Sequence, residues 1–156
     1  MEQDTTAEFA DSRKLAALFF NEAWKYIEKP DRTADDDLLM IHLAHASRLH
    51  WQFAGDASRW TIGEWQISRV YSILKRSEPA LYHARISLRI ATENNVRPFL
   101  LGCAHEAIAR ALSITADPSV GEHIARASNF ARQVEDAEEK AILEGDLSTI
   151  PRSNLS

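Results

Sequence analysis

Turn-forming residues are scarce in this chain. Its 156 residues include only five glycines and five prolines, and a chain with so few places to reverse favours long helices over many short strands. With 45% hydrophobic and 26% charged residues, the composition is that of a globular protein rather than a disordered one. The length suits one domain with a substantial core but not comfortably two.

Apolar residues recur at helical spacing between the few turn signals. A first helix is expected over about 6–28. Thr5 and Glu8 have capping-box spacing there, and Phe9, Ala16, Phe20, Ala23 and Ile27 form one stripe. Lys29-Pro30-Asp31 ends it, because proline cannot donate to the helix ladder and restricts the residue before it. Three aspartates at 35–37 suit the positive end of a second helix, which reaches Gly55 with Leu39, Leu43, Ala46, Leu49 and Phe53 as its expected apolar stripe. Asp56 or Ser58 can cap a third helix. Ile67, Val70, Tyr71 and Leu74 make one face of it, and Trp65, Ser68 and Ser72 a second, so neighbours are expected on both sides.

Ser77 and Pro79 suit the start of a fourth helix, with Leu81, Ala84, Leu88 and Ala91 on one face. A fifth, over about 97–115, has Leu101, Ala104, Ile108 and Ala111. Asp117-Pro118 reads as the N-cap and first residue of a sixth, with Val120, Ile124, Ala127, Ala131 and Val134. A segment over about 137–145 is either its continuation or a separate helix, and Leu147 to Ser156 reads as loop and tail.

Short connections make neighbouring helices antiparallel. The expected fold is therefore all-α: six or seven helices in antiparallel hairpins, stacked as a short tetratricopeptide-like array over 1–147, with a tail over 148–156. Helices three-plus-four and five-plus-six read as similar hairpins offset by about 38–40 residues. True tetratricopeptide repeats span about 34 residues and carry a fixed pattern, of which this chain matches only the small residues.

Charge, hydropathy and cysteine content weigh against several function classes. The net charge of −5 argues against general nucleic-acid binding. No apolar run approaches the roughly 20 residues needed to span a bilayer, and the acidic N-terminus lacks a signal core, so a cytoplasmic location is expected. Cys103 is the only cysteine, which rules out an intrachain disulfide. The charge is nonetheless segregated. Residues 1–37 carry ten acids and five bases, 38–115 five acids and nine bases, and 116–156 eight acids and four bases. Acidic end helices lying on a basic middle explain this; a surface for an acidic peptide or anionic ligand is the sharper alternative.

The candidate site is a polar cluster drawn from three helices: His50 and Trp51 on the second, Glu64 and Arg69 on the third, and Glu106 and Arg110 on the fifth. A buried carboxylate must be paired or protonated, so Glu64 and Glu106 are expected to meet Arg69, Arg110 or His50. The same groups could form a structural network or line a ligand pocket. His42 and His45 share a helix face at metal-ligand spacing, but no Glu-x-x-His accompanies them, and no metal or cofactor is expected. No nucleophile context and no phosphate loop occur, so no catalytic residue is assigned. Cys103 reads as a small core residue, and Trp60 as the tryptophan most suited to an exposed contact.

His50-Trp51, Glu64-Trp65, Ser68-Arg69-Val70-Tyr71, Pro79-Ala80-Leu81, His83-Ala84, Glu106, Ala109-Arg110-Ala111, Asp146-Leu147 and Ile150-Pro151 together resemble a family of small bacterial proteins of unassigned function, over roughly residues 38–151. The resemblance implies a tetratricopeptide-like helical fold and a bacterial origin, and supplies no catalytic residue. The leading expectation is a non-enzymatic protein-interaction module that binds a partner or itself, as a homodimer covering apolar end faces. A small-molecule or peptide binder, or an enzyme, using the His/Glu/Arg cluster is the rival, and a metal protein a weaker one.

Overall fold

The computed structural model describes residues 5–152, with side chains from residue 10 onward. Seven helices and no strand occur among the described residues: α1 Thr5–Ile27, α2 Ala34–Ala54, α3 Ala57–Ile73, α4 Ser77–Glu93, α5 Pro98–Ser113, α6 Val120–Ala131 and α7 Ala137–Ser148. The capping box read at Thr5 and Glu8, and Phe9 on the first stripe, involve side chains outside the described residues.

Local chemistry sets the helix starts. The Thr33 hydroxyl accepts from the Asp36 amide and the Asp36 carboxylate from the Thr33 amide, a reciprocal box at the head of α2. Asp56 and Asp136 cap α3 and α7 by accepting the amides of Arg59 and Glu139. Asp117 was expected to cap α6 directly. It instead accepts from the amide and hydroxyl of Ser119, forming a turn before the helix begins at Val120.

The ends explain how the chain manages with so little glycine. Lys75, Asn95 and Ala116 follow α3, α4 and α5 in the left-handed region, with φ of 58°, 48° and 53°. In each case the next amide bonds back to a carbonyl five residues earlier: Arg76 to Tyr71, Val96 to Ala91 and Asp117 to Leu112. This is the Schellman turn, made three times without glycine. At the first, the Arg76 guanidinium also lies 5.2 Å from the Tyr71 ring centroid.

Consecutive helices from α1 to α6 pack together, and so do α6 and α7. The odd helices also touch along the stack, α1 on α3, α3 on α5 and α5 on α7, whereas no close backbone approach joins α2, α4 and α6 among the described residues. The odd helices therefore form a continuous layer, and the even helices lie upon it with their backbones apart. This explains the burial of α3 and α5, where nearly every residue from Gly63 to Ser68 and from Gly102 to Ala109 is inside. The larger core gathers Trp65, Ala84, Cys103, Ile108, Leu112, Ile124, Ala127, Leu143 and Leu147; a smaller one holds Met40, Ala44, Ile67 and Val70.

Buried serines lie between the helices. Ser47 donates to Ala16 O at 2.7 Å, Ser68 to Ala80 O at 2.7 Å and Ser87 to Thr61 O at 2.9 Å.

Two expectations are corrected. The buried stripe of α2 is Met40, Ala44, Ser47 and Trp51, while Leu39, Leu49 and Phe53 are exposed. At the C-terminus, Leu147 lies in the last turn of α7, and both it and Ile150 are buried in the larger core. α7 is a separate helix, set off from α6 by the Asp136 cap.

Gly102 on α5 shows how tight the fit is. A Cβ there would run into Leu143 Cδ2, and Leu143 is itself fully buried. Gly102→Val should destabilise the fold by about 1–3 kcal/mol through overpacking, read as a lower midpoint in urea unfolding. An unchanged midpoint would mean that α7 can lift off α5 freely.

Candidate functional site

Glu106 is the most deeply placed acid, only 1% exposed. Trp65 Nε1 donates to its Oε2 at 3.0 Å, and Arg110 Nε, one turn along α5, donates to Oε1 at 2.7 Å. Arg69 Nη2 approaches Oε1 at 3.4 Å and Asp146 Oδ1 at 3.2 Å. Arg110 Nη2 goes on to Asp146 O and Thr149 Oγ1, both at 2.8 Å. One carboxylate thus ties α3, α5 and the end of α7 together. The crevice between Trp65, Ser68, Arg69, Glu106, Ala107 and Arg110 has no room for a water molecule. The arrangement can fix register; it offers no space to a ligand.

Glu64 lies in a second cluster. Arg48 Nε on α2 donates to its Oε1 at 2.9 Å, and His83 Nδ1 on α4 lies 2.7 Å from its Oε2. Two turns along α3, Tyr71 OH lies 2.9 Å from His45 Nε2. The rings of Tyr71 and His83 stack with centroids 6.0 Å apart, and His45 meets His83 edge-on at 5.3 Å. Burial, and then the neighbouring His83, holds the His45 pKa below its ordinary value. Gly63 makes room for this group, since a Cβ there would press on Arg48 Cδ.

His50 and Trp51 lie elsewhere. His50 Nδ1 is 3.3 Å from Ser12 Oγ, and its ring packs on Phe19 of α1. Trp51 is buried, with the Arg59 guanidinium 5.0 Å from its ring centroid, beside a shallow pocket of about 230 Å³ that Phe20, Asn21 and Ile62 also line. Trp60 is not the exposed contact residue expected: its Nε1 donates to Trp51 O at 2.7 Å, tying the head of α3 to the end of α2.

The six residues singled out from the sequence therefore divide three ways. Arg69, Glu106 and Arg110 meet as expected, Glu64 pairs on another face of α3, and His50 and Trp51 face α1. The reason is topological: α2 touches α3 and α3 touches α5, but α2 does not reach α5. Sequence reasoning missed Arg48 and His83 as the partners of Glu64, and Tyr71 as the partner of His45. Among the described residues, no group of three or more His, Cys, Asp or Glu side chains is placed to hold a metal ion.

A third polar pair is internal to the α5–α6 hairpin. His105 Nδ1 and His123 Nδ1 are 3.1 Å apart, with rings stacked at 5.4 Å, and Phe130 covers the other face of His105. One nitrogen must carry the proton and the other accept it, so this contact needs at least one neutral ring. Burial first, then His123 and Arg126, lowers the His105 pKa to about 4. Cys103, two residues before His105 and buried, has its thiol pKa pushed well up, chiefly by burial.

The exposed large hydrophobic side chains are unevenly distributed. Leu15 and Leu18 on α1 and Leu38, Leu39, Leu49 and Phe53 on α2 are solvent-facing, against Tyr82 and Ile142 on the rest of the described chain. Among the described residues, no helix is long and apolar enough to cross a membrane. No family model, curated protein or solved structure matches this chain.

Proposed function

We propose that this chain is a tetratricopeptide-like array of helical hairpins that works by binding protein, itself included, and not by catalysis. The observation that carries this reading is the apolar surface of the first hairpin, where Leu49 and Phe53 on α2 are each 58% exposed while the buried acids are satisfied internally. No other described helix covers these side chains, and an exposed apolar patch of this kind suits a protein partner. The resemblance to small bacterial helical proteins goes with this reading.

Sedimentation velocity over a wide concentration range tests it. The wild-type protein should shift toward the mass of a homodimer as concentration rises. Leu49→Glu/Phe53→Glu should remain monomeric with an unchanged helical spectrum, since both positions are exposed. A wild-type protein that stays monomeric throughout would remove the self-association part of the reading.

A ligand-binding reading has one observation in its favour. Glu64 fixes His83 through Nδ1, and His83 Nε2 has no hydrogen-bond partner among the described residues. It is the weaker reading, because Arg48 and His83 already engage both oxygens of Glu64.

A further inference from the structure

If the first hairpin binds protein, as proposed above, the charges on α1 say which protein. Asp11, Lys14, Leu15, Leu18 and Lys25 are exposed and Glu22 is half-buried. At 3.6 residues per turn, these six lie within about 100° of one another. Ala16 and Ala23, which are fully buried, mark the opposite side of the helix. The six therefore form the outermost seam of the hairpin, with Leu18, 51% exposed, at its middle.

The order of charges along this seam is self-complementary. Asp11 and Lys25 lie equally far from Leu18 on either side and carry opposite charge, and so do Lys14 and Glu22. An antiparallel copy of the same seam, turned about an axis through Leu18, sets Asp11 against Lys25, Lys14 against Glu22 and Leu18 against itself. Each ion pair occurs twice by symmetry. A parallel copy in register sets like charge against like at all four positions. We propose that the partner is a second copy of this chain, docked α1 to α1 in antiparallel register about a two-fold axis at Leu18.

Such an interface is isologous and closes as a dimer. Leu15 and Leu18 supply apolar contact. Phe19 and His50 pack together across the hairpin, and Leu49 and Phe53 are further exposed apolar side chains on α2. The charges contribute mainly orientation and exclusion of the wrong register, as rim charges do elsewhere. In the isolated chain Lys25 pairs with Glu22 on its own helix. Lys25 is largely exposed and Glu22 only half-buried, so exchanging this pair for pairs across the axis costs little.

Charge reversal in the full-length protein tests the seam. Asp11→Lys/Glu22→Lys makes the seam wholly basic, and Lys14→Glu/Lys25→Glu makes it wholly acidic. Each variant alone should sediment as a monomer at concentrations where the wild type is a dimer. An equimolar mixture should recover the dimer mass, binding at least about tenfold tighter than either variant binds itself. Circular dichroism on each variant checks that the helices remain formed. If the wild type dimerises but the mixture associates no better than its components, the α1 seam is wrong while the first-hairpin reading survives, to be judged by Leu49→Glu/Phe53→Glu. A wild-type monomer at every concentration overturns both.

Discussion

Glu106→Ala should be the most damaging single truncation in the buried polar network, lowering stability by about 3–5 kcal/mol. The substitution removes the acceptor for Trp65 Nε1 and the counter-charge for Arg110 and Arg69, both of which are mostly inside. Breaking one side of a buried pair costs more than the pair contributes, because the remaining charge has lost its water as well as its partner. Arg110 should matter more than Arg69. Its Nε lies 2.7 Å from Glu106 and its Nη2 reaches α7, whereas Arg69 approaches Glu106 only at 3.4 Å and leaves its buried Nε without a partner. Urea unfolding should rank Glu106→Ala below Glu106→Gln, since the amide still offers Trp65 an acceptor, and Arg110→Ala below Arg69→Ala. A Glu106→Ala protein within about 1 kcal/mol of wild type would mean that α3, α5 and α7 are held by their apolar faces alone.

Acid should weaken the fold through the α5–α6 hairpin. The ordinary histidine pKa is 6.5 and that of His105 in the fold is about 4. Between these values the unfolded chain takes up a proton that the native protein refuses. The contribution is therefore fully present above pH 6.5 and is lost as the pH falls toward 4. The difference corresponds to about 3 kcal/mol. His123, also lowered by burial and by Arg126, acts in the same direction. Chemical unfolding at a series of pH values should show this loss, and His105→Gln should flatten the curve even if it starts lower. A His105 resonance titrating near the ordinary histidine value in the folded protein would refute the assignment.

The sequence was most informative where apolar and small residues fall on one face. Ala84 and Ala91, Ala104 and Ala111, and Ala127 and Ala131 fall on the apolar stripes read from spacing, and all six are buried. Helix α2 was misread because hydrophobic residues surround it. Leu38, Leu39, Met40, Ile41, Leu43, Leu49 and Phe53 do not mark a single stripe, and the core took the one containing Ser47, whose hydroxyl has a carbonyl to meet. The polar cluster was half legible. Glu106 and Arg110 are one turn apart on the same helix, so their pairing follows from spacing. The pairing of Glu64 with His83 depends on how α4 returns beside α3, and the separation of His50 from Glu106 depends on α2 never reaching α5. Those are facts of topology that side-chain periodicity does not encode.

Alanine-lined faces repeating every seven residues leave the sliding coordinate between helices nearly degenerate, because a shift of two turns replaces one alanine by another. The hydroxyls of Ser47, Ser68 and Ser87 remove that degeneracy. Each would lose a buried acceptor on slipping, at about 1–3 kcal/mol apiece. They behave as detents in a ratchet: nearly as small as the alanines around them, they add little to the total burial, yet they penalise every alignment but one.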